Sequence, residues 1–139
     1  MAAKFVLYAT DKIVNKYSYY KYYSTFERLF DENGYPGSKP PWGNLTAIDL
    51  NSGKLKWQVP FGEYENLTKL GISLTGTENY GGATGTSGNL IFATGTLDKK
   101  IRAFNSINGK EVWSYQLEYV GSGPPSIYSI NGEQYIVVA

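Results

Sequence analysis

Five residues form the arrangement best suited to meeting a ligand: Trp42 and the run Asn79-Tyr80-Gly81-Gly82. An indole and a phenol offer flat faces for a planar ring. An Asn amide offers both donors and an acceptor, and paired glycines let the main chain pass close to a ligand with no Cβ in the way. The chain carries little else that does chemistry. It has no His and no Cys, which excludes disulfides, thiol nucleophiles, Ser-His catalysis and zinc held by its usual ligands. Its carboxylates are scattered, with no two spaced for acid–base work, so no catalytic residue and no metal ligand is assigned within it. The stretch 80–88, YGGATGTSG, has the glycines of a phosphate loop. It lacks the Gly-Lys-Ser/Thr ending and no helical pattern follows. A short inner strand passing close to a ligand or a central channel accounts for its small residues better.

The elements that must position these residues come from an internal repeat. Residues 46–57 read TAIDLNSGKLKW and residues 102–113 read RAFNSINGKEVW. Ala47, Asp49, Gly53, Lys54 and Trp57 fall on Ala103, Asn105, Gly109, Lys110 and Trp113 at one constant offset of 56 residues. Each line is a strand, a tight turn carrying Gly-Lys, and a second strand ending in Trp. A fixed period with strand–turn–strand units and a repeated Trp is the signature of β-propeller blades. The repeat assigns Asp49 and Asn105 to backbone bonds that close their turns at Gly53 and Gly109. It also predicts that Trp57 and Trp113 are buried between blades. Trp42 and Asn79–Gly82 have no repeat counterpart and stand at the starts of inner strands, where a propeller presents its central funnel.

The fold predicted is all-β, a partial propeller of four-stranded antiparallel blades within a single unit, 1–139. Residues 4–59 read as an incomplete blade with an insertion at 11–43. Residues 80–117 read as a complete blade, with strands over 82–87, 89–95, 100–105 and 110–117. Residues 123–139 begin a further blade as a hairpin around Asn131-Gly132. KFVLYA (4–9) reads as a strand, 60–79 as a connection with little periodicity, and NLTAIDL (44–50) as a strand that does not alternate cleanly. Both ends read as the interior of strands, so the chain reads as a piece of something longer. Within the insertion, Tyr and Phe interleave with Lys16, Lys21 and Arg28. Such a stretch can stack bases, but Glu27, Asp31 and Glu32 dilute its charge, the net charge is only +1, and no nucleic-acid partner is expected. No apolar run reaches the roughly 20 residues of a membrane span, and the first residues do not read as a secretory signal.

Two runs resemble a known family. DENGYPGSKPPWGNLTAIDLNSGKLKWQVPFGE and GTENYGGATGTSGNLIFATGTLDKKIRAFNSINGKEVWSYQL, with the closing NGEQYIVVA, are similar to the C-terminal part of quinoprotein glucose dehydrogenases, which use pyrroloquinoline quinone (PQQ). The AxDxxxGxxxW-type lines resemble the tryptophan-docking repeat of all quinoprotein dehydrogenases, and PPWG and NYGG narrow the likeness to the glucose dehydrogenase branch. The resemblance implies about two blades of an eight-bladed propeller. It implies oxidation of a sugar or alcohol hydroxyl in the periplasm, with PQQ and a calcium-type ion in the central funnel. It places Asn79–Gly82 beside the cofactor. The family's base Asp, most of its metal ligands and its cofactor-stacking Trp have no counterpart here, so the isolated chain is expected to be inactive and to bind no cofactor. Its expected partners are the remaining blades, or further copies through exposed strand edges. The alternative reading is a non-catalytic repeat module for protein–protein assembly.

Overall fold

The computed structural model describes residues 28–139, so the expected strand over 4–9 and residues 11–27 of the insertion lie outside the described residues. The chain divides into two units, Met1–Lys39 and Pro40–Ala139. In the first, Asp31 Oδ1 accepts the Asn33 and Tyr35 amides at 2.9 and 2.8 Å. That closes the turn signalled by Asn33-Gly34, and a bridge joins Phe30 to Pro36.

The second unit holds eight strands in three antiparallel sheets. The first sheet pairs β1 (Asn44–Ile48) with β2 (Leu55–Pro60). The second has four strands in sequence order, β3 (Ala83–Gly85), β4 (Leu90–Ala93), β5 (Lys100–Asn105) and β6 (Glu111–Gln116). The third pairs β7 (Ser126–Ile130) with β8 (Glu133–Val137). β5 spans the expected 100–105, while β1, β3, β4 and β6 are two or three residues shorter than the expected 44–50, 82–87, 89–95 and 110–117. Asn131 and Gly132 both take positive φ, 52° and 83°, as a two-residue hairpin between right-twisted strands requires.

The middle sheet is apolar on both faces. Phe104 and Ala93 pack with Phe61, Leu45, Val59 and Ile91 on the side of the first sheet. Phe92, Ile101 and Ala103 pack with Leu90, Leu117, Ile127, Ile136 and Val138 on the side of the third. The near-continuous burial of β5 follows from this sandwiching.

Four expectations are corrected. β1 alternates cleanly: Leu45 and Ala47 face inward while Asn44, Thr46 and Ile48 are exposed, because only one face of this sheet is covered. The connection 60–79 contains a short helix, α1 (Glu65–Lys69), with an i,i+4 ion pair between Glu65 and Lys69 at 3.6 Å. The Asp49 and Asn105 side chains do not bond at the glycines. Asp49 Oδ1 accepts the Asn51 and Ser52 amides, and Asn105 Oδ1 those of Ile107 and Asn108. The glycine amides instead donate to the Asp49 and Asn105 backbone carbonyls. Finally, Trp57 is buried but Trp113 is 47% exposed. The two residues share a register, Ala47 opposite Trp57 and Ala103 opposite Trp113. Their burial differs because Trp57 lies on the turn between β5 and β6, its Nε1–H on the Ser106 carbonyl and its ring against Gly109, while among the described residues no such turn meets Trp113. Among the described residues no helix is long and apolar enough to cross a membrane.

The difference between the two tryptophans is measurable. Trp57→Ala is expected to cost about 3–5 kcal/mol and Trp113→Ala about 1 kcal/mol in urea denaturation of dilute protein. Equal losses would contradict the packing described.

Candidate functional site

The five candidate residues fall on two backbone crossings. At the first, the Trp42 amide donates to the Thr75 carbonyl at 2.7 Å, the Phe61 amide to Gly43, and the Thr77 amide to Phe61, both at 2.9 Å. Three chain segments meet here with no room for side chains. A Cβ on Gly43 would lie 1.9 Å from the Thr77 carbonyl oxygen, and one on Gly76 2.3 Å from that of Gly43. The Trp42 ring meets Tyr64 edge-on, centroids 5.2 Å apart.

The second crossing holds Asn79–Gly82. Asn79 bridges to Thr96, the Tyr80 amide donates to Gly95 and the Thr94 amide to Gly82. The Asn79 side-chain amide donates to the Thr94 carbonyl at 2.8 Å. Gly81 and Gly95 face each other so closely that a Cβ on either would lie 2.1–2.3 Å from backbone atoms of the other segment. The sequence assigns Gly81 and Gly82 to close approach of a ligand or a central channel. In the structure, Gly81 makes room for another strand, while Gly82 lies against Pro124. Tyr80 is different: its side chain is 59% exposed beside the crossing. The structure thus gathers Asn79, Tyr80, Gly81 and Gly82 on one loop, and seats Trp42 against Thr75 and Tyr64.

Two features escaped the sequence reading. Thr75, Thr77, Thr94 and Thr96 are fully buried. Each hydroxyl is bonded, to the Tyr64 amide, the Glu78 carbonyl, the Gly123 carbonyl and Asp98 respectively. Their signal was the repeated Thr-Gly-Thr at 75–77 and 94–96. The second feature is a charged cluster. Asp98 and Arg102, with side chains 3% and 5% exposed, form a two-pronged ion pair. Asp98 also accepts the Glu63 amide at 2.9 Å. Glu63 pairs with Lys100 at 2.7 Å, and Arg102 Nε with Glu111 at 3.2 Å. The Arg102 guanidinium lies 5.9 Å from the Phe61 ring centroid. An Arg amid the apolar run of β5 was the available sign.

This cluster joins two sheets and is unsuited to proton transfer. Burial opposes ionisation of Asp98, but bonds from Arg102 and Thr96 outweigh it and hold the carboxyl below its usual value. Burial likewise disfavours charged Arg102, and Asp98 more than compensates. The hydrogen bond from Lys100 holds Glu63 low as well. All three groups stay charged at neutral pH. Among the described residues no group of three or more His, Cys, Asp or Glu is placed to hold a metal ion.

Comparisons with known proteins agree with this architecture. The family model for the PQQ glucose/ethanol/alcohol dehydrogenase β-propeller domain matches residues 7–136. The quinate/shikimate dehydrogenase (quinone) of Acinetobacter baylyi is 39% identical over 119 residues, 81% of this chain and 15% of that protein. Quinoprotein glucose dehydrogenase A of Acinetobacter calcoaceticus is 36% identical over 109 residues, 76% of this chain and 14% of that protein. Among solved structures, the quinohemoprotein alcohol dehydrogenase of Comamonas testosteroni matches with a TM-score of 0.56 and 27% identity, over 77% of this chain and 14% of that one. The chain spans about 15% of the length of the curated relatives it matches.

The charged cluster sets a pH dependence. A depressed folded pKa means the unfolded chain takes up the proton first. The contribution of Asp98 is therefore full above about pH 4, the unfolded Asp value, and is lost as pH falls through the folded one. The thermal midpoint is expected to drop below about pH 4, with a shallower acid limb in Asp98→Asn. At neutral pH that variant is expected to lose about 3–5 kcal/mol, since it removes the buried partner of Arg102 and leaves it only the more exposed Glu111 and Glu63. A parallel acid limb would place the titrating group elsewhere.

Proposed function

The chain belongs to the PQQ glucose/ethanol/alcohol dehydrogenase β-propeller family, and from that premise we propose that it is a section of a quinone-dependent dehydrogenase oxidising a sugar or alcohol hydroxyl. One observation carries this reading: the match runs over nearly the whole chain, yet covers only about 15% of each relative. In this reading β3–β6 is one complete blade within 80–117. Residues 4–59 are an incomplete blade interrupted at 11–43, and 123–139 begin another. The open ends are completed by the parent's remaining blades, or by self-association where the chain stands alone.

Trp42 and Asn79–Gly82 form the wall that this section contributes to the cofactor funnel. The half-exposed ring of Tyr80 supplies a flat surface for the edge of a planar cofactor. The Asn79 amide, committed to the Thr94 carbonyl, fixes the loop that carries it. PQQ, when bound, supplies the capacity to accept two electrons from the substrate. The described residues position and enclose; none of them is placed to take the substrate proton. The metal site does not fit the described residues, so the calcium of this reading is held by other blades. The family reading also puts the parent in the periplasm. Names of the relatives, which mention quinate or shikimate, glucose, glycerol and ethanol, leave the substrate at the level of a hydroxyl compound.

Two measurements test this. The purified chain with PQQ and calcium is expected to reduce no dye in the presence of glucose, quinate, glycerol or ethanol. Turnover would overturn the assignment of the reaction centre to other blades. The adjoining coding sequence is expected to continue in frame with further AxDxxxGxxxW lines. In that longer protein, Tyr80→Ala should raise the PQQ dissociation constant about tenfold, the worth of one ring contact. An unchanged constant with intact folding would remove Tyr80 from the funnel.

A further inference from the structure

Trp42 and Tyr80 sit on different backbone crossings, yet both crossings are tied to one side chain of the middle sheet. That side chain is Asp98, 3% exposed and paired with Arg102 at 5%. It has more partners than the arginine. Asp98 Oδ1 accepts the Thr96 hydroxyl at 2.6 Å and Arg102 Nη1 at 3.1 Å. Oδ2 accepts the Glu63 amide at 2.9 Å as well as Arg102 Nη2. Arg102 Nη1 also reaches the Thr96 hydroxyl, at 3.1 Å.

One route runs from Asp98 to Trp42. The Glu63 carboxylate accepts Lys100 at 2.7 Å and the Thr68 hydroxyl at 3.0 Å, so Glu63 is held at its side chain and, by Asp98, at its amide. A Cβ on Gly62 just before it would stand 2.5 Å from Thr77 Oγ1 and 2.7 Å from Thr96 Cγ2, which leaves the chain no room to shift. The next residue, Tyr64, donates its amide to Thr75 Oγ1 at 3.1 Å. Its ring is the edge-on seat of Trp42, whose own amide donates to the Thr75 carbonyl. The second route is shorter. Thr96, held by Asp98 and Arg102, bridges to Asn79. Tyr80 follows, with its amide on the Gly95 carbonyl.

Cohesion between the sheets does not call for this ion pair, since apolar residues of similar volume commonly do as well or better at a buried site. What apolar side chains cannot supply is a directional acceptor for an amide and a hydroxyl on two separate segments. We propose that Asp98 is a positioning residue, which fixes the Trp42 and Tyr80 rings relative to each other. On the reading of those rings as wall of the cofactor funnel, it sets through them how tightly PQQ is held. Arg102 keeps the carboxylate charged and aimed, with one oxygen toward each route.

Two double variants separate the acceptor from the charge. The first, Asp98→Leu with Arg102→Met, removes both. The second, Asp98→Asn with Arg102→Met, keeps a carboxamide that can accept the Glu63 amide and donate to the Thr96 hydroxyl. Neither leaves a buried arginine unpaired, and thermal melts check that each folds. In amide-resolved NMR of the 139-residue chain, the first is expected to displace the Trp42 indole and Tyr80 amide signals. The Trp57 indole, docked on Ser106, is expected to stay in place. The second is expected to keep the wild-type positions of all three. In the wild type, which needs no variant to fold, the Glu63 amide is expected to exchange at least about a hundredfold more slowly than an open amide. In the longer protein, the first variant is expected to raise the PQQ dissociation constant about tenfold and the second to leave it within about twofold. Undisplaced Trp42 and Tyr80 signals in the first variant overturn the proposal. So do equal displacements in both variants, or an unprotected Glu63 amide. Displaced signals with an unchanged PQQ constant uphold the positioning and overturn the reading of the two rings as funnel wall.

Discussion

The middle sheet β3–β6 is apolar on both faces, and a sheet of that kind is stable in water only with a neighbour on each side. Phe104 and Ala93 look one way, Phe92, Ile101 and Ala103 the other. Both neighbours are present as two-stranded sheets, and each is covered on the side facing the middle one. The graded burial follows: β5 is almost wholly buried, β1 buried on alternate residues, and β6 exposed along its length.

Apolar contact alone would let the sheets slide. Polar contacts between them set the register. The Trp57 indole reaches one carbonyl, of Ser106. Asp98 holds the Glu63 amide while it binds Arg102. Thr84 and Thr94 donate to the Pro125 and Gly123 carbonyls of the segment leading into the third sheet. Each bond is directional and largely shielded from water, so a shift of one residue would leave buried polar groups unsatisfied. No buried side-chain polar atom lacks a partner among the described residues.

The same economy of space shapes the candidate site. Glycines at 43, 76, 81 and 95 let backbone segments touch, which brings Trp42 and Tyr80 onto rigid crossings. A ligand surface built on such crossings is held in place by main-chain bonds and does not depend on side-chain packing beneath it. That suits the enclosing role proposed for these residues and explains why Tyr80 can remain exposed without a floppy support.

From sequence alone, the all-β class, the 56-residue step, the two Asx-Gly turns and the hairpin at Asn131-Gly132 were legible. The turns and strands are local, following from turn chemistry and from side chains two residues apart along a strand, and the 56-residue step is the recurrence of that local pattern. The likeness to quinoprotein dehydrogenases was legible for the same reason, being carried by contiguous motifs. Only the tertiary structure decided which of two equivalent tryptophans is buried, because that depends on whether a neighbouring sheet's turn lies against the ring, as the one at Ser106 and Gly109 does against Trp57. It also decided that Gly81 and Gly95 accommodate backbone, that the buried threonines tie crossings together, and that Asp98, Arg102 and Glu63 act as one cluster. Those partners lie far apart in the chain, as Glu63 and Asp98 do, and no period in the sequence records a contact made only when two sheets meet.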